Sequence, residues 1–178
     1  MAIQHSVVAV PARLQSSRLP NKVLADIGGK PMIQRVLERC REASSVEAVV
    51  LCTDSSELQS LAEGWGFPVL MTSASCSSGS ERLASVADHL LALAWGPELP
   101  SAEQTAVINV QGDQPFIDPT VIDAMVSEFR RRDPVPAVVT PVYGLQPSTV
   151  HNPNVVKTLM AHDGCLLYTS DAADECLS

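Results

Sequence analysis

Four short runs rich in valine, at residues 7–10, 46–53, 68–72 and 105–110, alternate with segments whose apolar residues recur every three or four positions. Met32, Ile33, Val36, Leu37 and Cys40 share one helical face. Leu58, Leu61, Ala62 and Trp65 share another, as do Leu83, Val86, Ala87, Leu90, Leu91 and Ala94, and then Val121, Ile122, Met125, Val126 and Phe129. Strands that alternate with amphipathic helices imply parallel crossovers, and a parallel sheet must be covered on both faces. The expected fold is therefore α/β, in three layers around a mainly parallel sheet. Further strands are expected at 137–142 and 155–160. Helix starts are signalled by residues 54–57, by the capping-box spacing of Ser78 and Glu81, and by Asp118 before Pro119. Pro31 opens the first helix after the turn of residues 26–30.

Charge is distributed unevenly along this pattern. The 178 residues carry 12 Lys and Arg against 20 Asp and Glu, a formal net charge of −8, yet Arg13, Arg18 and Lys22 all precede the first acidic residue, Asp26. An acidic chain is a poor partner for nucleic acid or an anionic membrane through bulk charge, so any anionic ligand needs a local basic site. The loop after the first strand is such a site. It contains no P-loop and no G-x-G-x-x-G pattern, which disfavours a Walker-type NTPase and a Rossmann dehydrogenase. The five cysteines show no metal or disulfide spacing, and no apolar run approaches the ~20 residues of a membrane span. A cytoplasmic protein with reduced thiols is expected.

Ligands of open parallel sheets bind beyond the carboxyl ends of the strands. Three polar constellations fall there: residues 13–22 after the first strand, 77–82 after the third and 111–113 after the fourth. Arg13 and Lys22 are candidate phosphate counter-charges, with Ser16, Ser17 and backbone N–H groups beside them. Ser78 and Gly79 offer close backbone approach at a helix start, and Arg82 a guanidinium for a base or phosphate. Asp113, held between a strand end and Pro115, is a candidate oxygen ligand for Mg²⁺, and Gly112 is expected to leave room for a nucleotide beside it.

Taken together, VPARLQSSRLPNKVLADIGGKPMI, SGSERLA, VINVQGDQPFI and HNPNVVK resemble the 3-deoxy-manno-octulosonate (KDO) cytidylyltransferase family over residues 7–164. The resemblance implies a nucleotide-diphospho-sugar transferase-like fold and transfer of a cytidylyl group from CTP to KDO, releasing pyrophosphate, for lipopolysaccharide synthesis. It implies Mg²⁺ as cofactor, a homodimer, and neither nucleic acid nor membrane as partner. By match to the family's motifs, Arg13 and Lys22 hold the triphosphate, Pro11 and Ala12 line the cytosine pocket, and Ser78, Gly79 and Arg82 contact the nucleotide. Gln111 and Asp113 fall at the reaction centre, Asp113 as metal ligand; the expected catalytic set is Arg13, Lys22 and Asp113.

Two features depart from the family pattern. Gln114 stands where the family usually has glutamate, and the family continues well beyond residue 164. The chain is therefore expected to be a nucleotide-binding portion, residues 1–164, with little activity by itself. Residues 165–175, CLLYTSDAADE, look like a translated sequencing adapter, so residues 165–178 are expected to be a non-native tail. A cytidylyltransferase for another acid sugar, neuraminate-like or an amino analogue of KDO, and a non-catalytic nucleotide-binding protein are the alternatives.

Overall fold

The computed structural model describes residues 2–15, 19–96 and 100–169. Ser16, Ser17, Arg18 and the end of the chain from Ser170, including Cys176, lie outside the described residues. The chain divides into two units, Met1–Val139 and Thr140–Ser178.

In the first unit, β1 (His5–Ala12), β2 (Ala48–Thr53), β3 (Val69–Met71) and β4 (Thr105–Asn109) form one sheet in the order β3-β2-β1-β4. Every pairing is parallel, as the alternating pattern predicted. Side chains sort by parity. Val8, Val10 and Ala12 of β1, with Leu51 of β2 and Ile108 of β4, point into one core shared with α1 (Met32–Arg41), α2 (Ser56–Gly64) and α5 (Pro119–Arg131). Val7 and Ala9, with Val50 and Cys52, face a second core under α3 (Gly79–Ala84) and α4 (Ala87–Trp95). Because β1 is the strand buried between both layers, Val7, Val8, Ala9 and Val10 are completely inaccessible. This is why its sequence is a continuous apolar run rather than an alternating one.

Local chemistry fixes the helix starts. Ser55 accepts from the Leu58 N–H at 3.2 Å, Ser78 from the Glu81 N–H at 3.1 Å, and Asp118 from the Thr120 N–H at 2.9 Å with Pro119 in the first turn. The Glu81 carboxylate accepts from the Ser77 hydroxyl and from the Ser77 N–H at 2.7 Å, which hold its pKa below the ordinary value.

The single helix expected from residue 78 onward is in fact two. Ser85 Oγ donates to Arg82 O at 2.8 Å, a side-chain bond that competes with helix continuation, and Val86 leaves the helical region at φ −127°, ψ 15°. The strand expected at residues 137–142 does not form. Val138 and Val142 are exposed with no partner strand among the described residues, so valine content alone was insufficient. In the second unit, the strand expected at 155–160 is shortened to β5 (Thr158–Met160). It pairs antiparallel with β6 (Leu166–Thr169), which comes from the segment assigned to the tail, across a turn with Gly164 at φ 84°. All four β6 residues are exposed.

Candidate functional site

A parallel sheet puts every strand's carboxyl end on one edge, so the loops that leave β1, β3 and β4 converge there. Between them lies a cavity of about 480 Å³, within the ordinary size for a small-molecule site. It is lined by Pro11, Ala12 and Arg13 from the first loop, by Ser77, Ser78, Gly79 and Arg82 from the second, and by Gln111, Gly112 and Asp113 from the third. Lys22 also lines it. All nine residues given a role by the family resemblance thus line one cavity. β1 extends two residues further than expected, so Pro11 and Ala12 are the last residues of the strand rather than part of the loop.

The loop after β1 is closed by its own backbone. The Asn21 N–H donates to Leu14 O at 3.0 Å, Asn21 takes the left-handed conformation at φ 56°, and a short 3₁₀ turn at Lys22–Leu24 buries Val23 in the core. Lys22 is carried on that anchored turn. Its Nζ donates to Asp113 Oδ2 at 2.7 Å, joining the first and third constellations across 91 residues of sequence. Both side chains remain well exposed, at 39% and 46%, and a pair in that setting contributes little to stability. Arg13 is exposed at the same mouth.

Gly112 and Gly79 have structural reasons to be glycine. A Cβ at Gly112 would stand 3.0 Å from Pro11 O and 3.2 Å from Ala12 Cβ, so the room it leaves is taken by the end of β1 and not by a ligand. A Cβ at Gly79 would stand 3.0 Å from both Gln111 Oε1 and Pro11 Cγ. The second and third loops therefore touch, with Gln111 laid over Gly79. The Gln111 amide is further tied by Nε2 donating to Asn109 Oδ1 at 2.9 Å.

Arg82 differs from the other two cations of the cavity. It is 3% exposed and donates to Asp54 Oδ2 at 2.9 Å, to Thr72 Oγ1 and to Ser73 O at 3.4 Å. It thereby ties the loop after β2 and the loop after β3 to α3, while still forming part of the cavity wall. Asp54 was read only as part of a helix start and Thr72 only as the end of a strand. The signal available was their position just past the carboxyl ends of β2 and β3, the same rule that picked the other loops. Cys76, 7% exposed, also lines the cavity. Among the described residues no group of three or more His, Cys, Asp or Glu side chains is placed to hold a metal ion. Asp113 is the acidic residue among those lining the cavity.

The sequence profile of the family described as Cytidylyltransferase matches residues 7–173. This chain belongs to that family. A 3-deoxy-manno-octulosonate cytidylyltransferase from Idiomarina loihiensis is 42% identical over 168 residues, 93% of this chain and 62% of the relative. One from Chlorobium phaeovibrioides is 38% identical over the same share of this chain and 63% of its own length. This cytidylyltransferase-family chain thus spans just under two thirds of the relatives it matches. Among solved structures, CMP:2-keto-3-deoxy-manno-octonic acid synthetase complexed with CTP superposes with a TM-score of 0.83 at 32% identity, covering 94% of this chain and 64% of that one. A 4-diphosphocytidyl-2C-methyl-D-erythritol synthase, 14% identical with a TM-score of 0.59, shares the fold. No helix among the described residues is long and apolar enough to cross a membrane.

Proposed function

We propose that this chain is the nucleotide-binding portion of a cytidylyltransferase that couples CTP to KDO, forming CMP-KDO and pyrophosphate. The observation that carries the reading is the contact of Lys22 with Asp113 in a cavity bordered by Arg13, in a chain 42% identical to a KDO cytidylyltransferase. In the reaction, the anomeric hydroxyl oxygen of the sugar bonds to the α-phosphorus of CTP as its proton passes to solvent, the bond from that phosphorus to the bridging oxygen breaks, and pyrophosphate leaves with the electron pair. Such chemistry depends on charge neutralisation and alignment.

The residues divide that work. Arg13 and Lys22 counter the triphosphate charge, Pro11 and Ala12 present backbone to the cytosine, and Ser78 and Gly79 form the wall against the nucleoside. Arg82 keeps that wall in shape from behind. Gln111 contacts the nucleotide beside the reaction centre.

A lone carboxylate at a cavity mouth suits a Mg²⁺ whose other ligands are phosphate oxygens and water, so Asp113 fits as the protein's contribution. Bound there, the ion would offset the negative charge that builds up on the phosphates. The same reading places the protein in the cytoplasm, as a homodimer, in lipopolysaccharide synthesis.

The test is CTP binding by this chain with and without Mg²⁺, with little pyrophosphate release expected when KDO is added to the chain alone. Metal-dependent binding of CTP in preference to ATP is expected. Equal binding of all four nucleotides, or none, would sink the reading.

A further inference from the structure

Gln111 is an exposed residue, and an exposed glutamine ordinarily samples many rotamers. Here its amide is held from two sides. Nε2 donates to Asn109 Oδ1 at 2.9 Å, and the amide lies over Gly79, where an added methyl group would stand 3.0 Å from Oε1 and 3.2 Å from Nε2. Asn109 itself stands outside the cavity lining. It sits at the end of β4, in register with Ala9, with an exposed side chain that reaches the Gln111 amide. One Nε2 hydrogen is engaged and the second remains a donor, so Oε1 is the acceptor left for a ligand.

We infer that Asn109 is a positioning residue. By accepting from Nε2 it fixes the flip of the Gln111 amide, so that Oε1 faces the cavity as an acceptor for an N–H or O–H donor of the nucleoside, either the cytosine amino group or a ribose hydroxyl. This rests on the reading of the cavity as a nucleotide site. The mirrored arrangement, with the Asn109 amide donating to Oε1, would offer the ligand a donor instead, and the two make opposite predictions for Asn109→Asp. An aspartate at neutral pH can only accept.

The experiment uses the whole 178-residue chain with CTP, UTP and uncharged cytidine as probes, cytidine separating any repulsion between the new carboxylate and the phosphates. Asn109→Ala is expected to weaken CTP and cytidine about five- to tenfold with little change in melting temperature, the loss of one hydrogen bond's alignment. Asn109→Asp is expected to bind cytidine within about twofold of the parent, and Asn109→Ala is expected to add nothing to Gln111→Ala. If the cytosine amino group is the donor, UTP binding does not respond to Asn109→Ala. If a ribose hydroxyl is, UTP weakens in step with CTP.

A readout without ligand runs beside this. The side-chain ¹⁵N amide signals of Gln111 should show slow hydrogen exchange in the parent and in Asn109→Asp, and fast exchange in Asn109→Ala. Loss of cytidine binding in Asn109→Asp equal to that in Asn109→Ala, or unchanged binding in Asn109→Ala, overturns the positioning role. A parent chain that binds neither CTP nor cytidine overturns the nucleotide reading itself.

Discussion

The two cationic walls of the cavity are built on opposite principles. Arg82 is buried at 3% exposure, paired with an Asp54 that is only 18% exposed, and hydrogen-bonded to Thr72 and Ser73, so that its guanidinium is committed to the protein. Lys22 makes a 2.7 Å pair with Asp113 in which both partners stay open to solvent. A buried pair is costly to break and gives up little to a ligand, whereas an exposed pair is cheap to break and can trade partners. The first wall is therefore framework and the second is where an incoming triphosphate is expected to exchange a protein carboxylate for its own oxygens.

The largest effect should come from breaking the framework wall. Arg82→Met leaves the Asp54 carboxylate without its partner and should lower stability by about 3 kcal/mol, or roughly 6–12 °C in melting temperature. Adding Asp54→Leu to that variant should restore much of the loss, since an apolar replacement of the whole pair is close to neutral. A double variant less stable than the single would show that the loop contacts, and not the ion pair, carry the wall.

The responsive wall should behave in the reverse way. Lys22→Ala is expected to change unfolding free energy by less than about 0.5 kcal/mol, yet to weaken CTP binding at least tenfold, the scale of one charge-assisted contact. Calorimetry on the same variant reads both numbers. A Lys22→Ala chain that melts several degrees lower while binding CTP normally would reverse the assignment of the two walls.

A smaller effect sharpens the comparison by showing what an anchored carboxylate does elsewhere in the fold. Asp123 on α5 accepts from the hydroxyl and N–H of Ser45, at 2.6 and 2.8 Å, and from those of Ser44, which bring its pKa down to about 2. A folded-state pKa below the unfolded value contributes stability above about pH 4 that is lost as pH falls toward 2. Asp123→Asn should therefore cost about 1–2 kcal/mol near neutrality, allowing for solvent screening, and nothing near pH 2. Urea unfolding of both proteins from pH 7 down to pH 2 would show the two stabilities converging. A difference that stays constant with pH would mean that the Ser44 and Ser45 contacts do not depend on the charge.

Much of the framework was legible because it is written in short-range chemistry. The caps at Ser55, Ser78 and Asp118 and the continuous apolar run of β1 are local signals, and the alternation of elements leads directly to four parallel strands with helices on both faces. The meeting of Lys22 with Asp113 was also foreseeable, because the carboxyl ends of parallel strands share an edge. What stayed hidden depends on partners distant in sequence. A cation after a capping box reads as a ligand for phosphate, and nothing near Arg82 announces that Asp54, 28 residues earlier, will take it. Gly112 reads as space for a ligand until the end of β1 is found filling that space. The break at Ser85 arises from a hydroxyl that bonds backward, which helical periodicity does not record. Residues 137–142 have strand composition but no neighbour to pair with among the described residues, and pairing is what makes a strand.

The most direct test titrates CTP into the parent chain and into Asp113→Ala, each with and without Mg²⁺. The parent should bind more tightly with the metal by at least tenfold, and the variant should show no response to Mg²⁺ while keeping its melting temperature within a few degrees. An undiminished metal response in Asp113→Ala would contradict the central claim that the open pair of Lys22 and Asp113 is where this protein receives a metal-bound triphosphate.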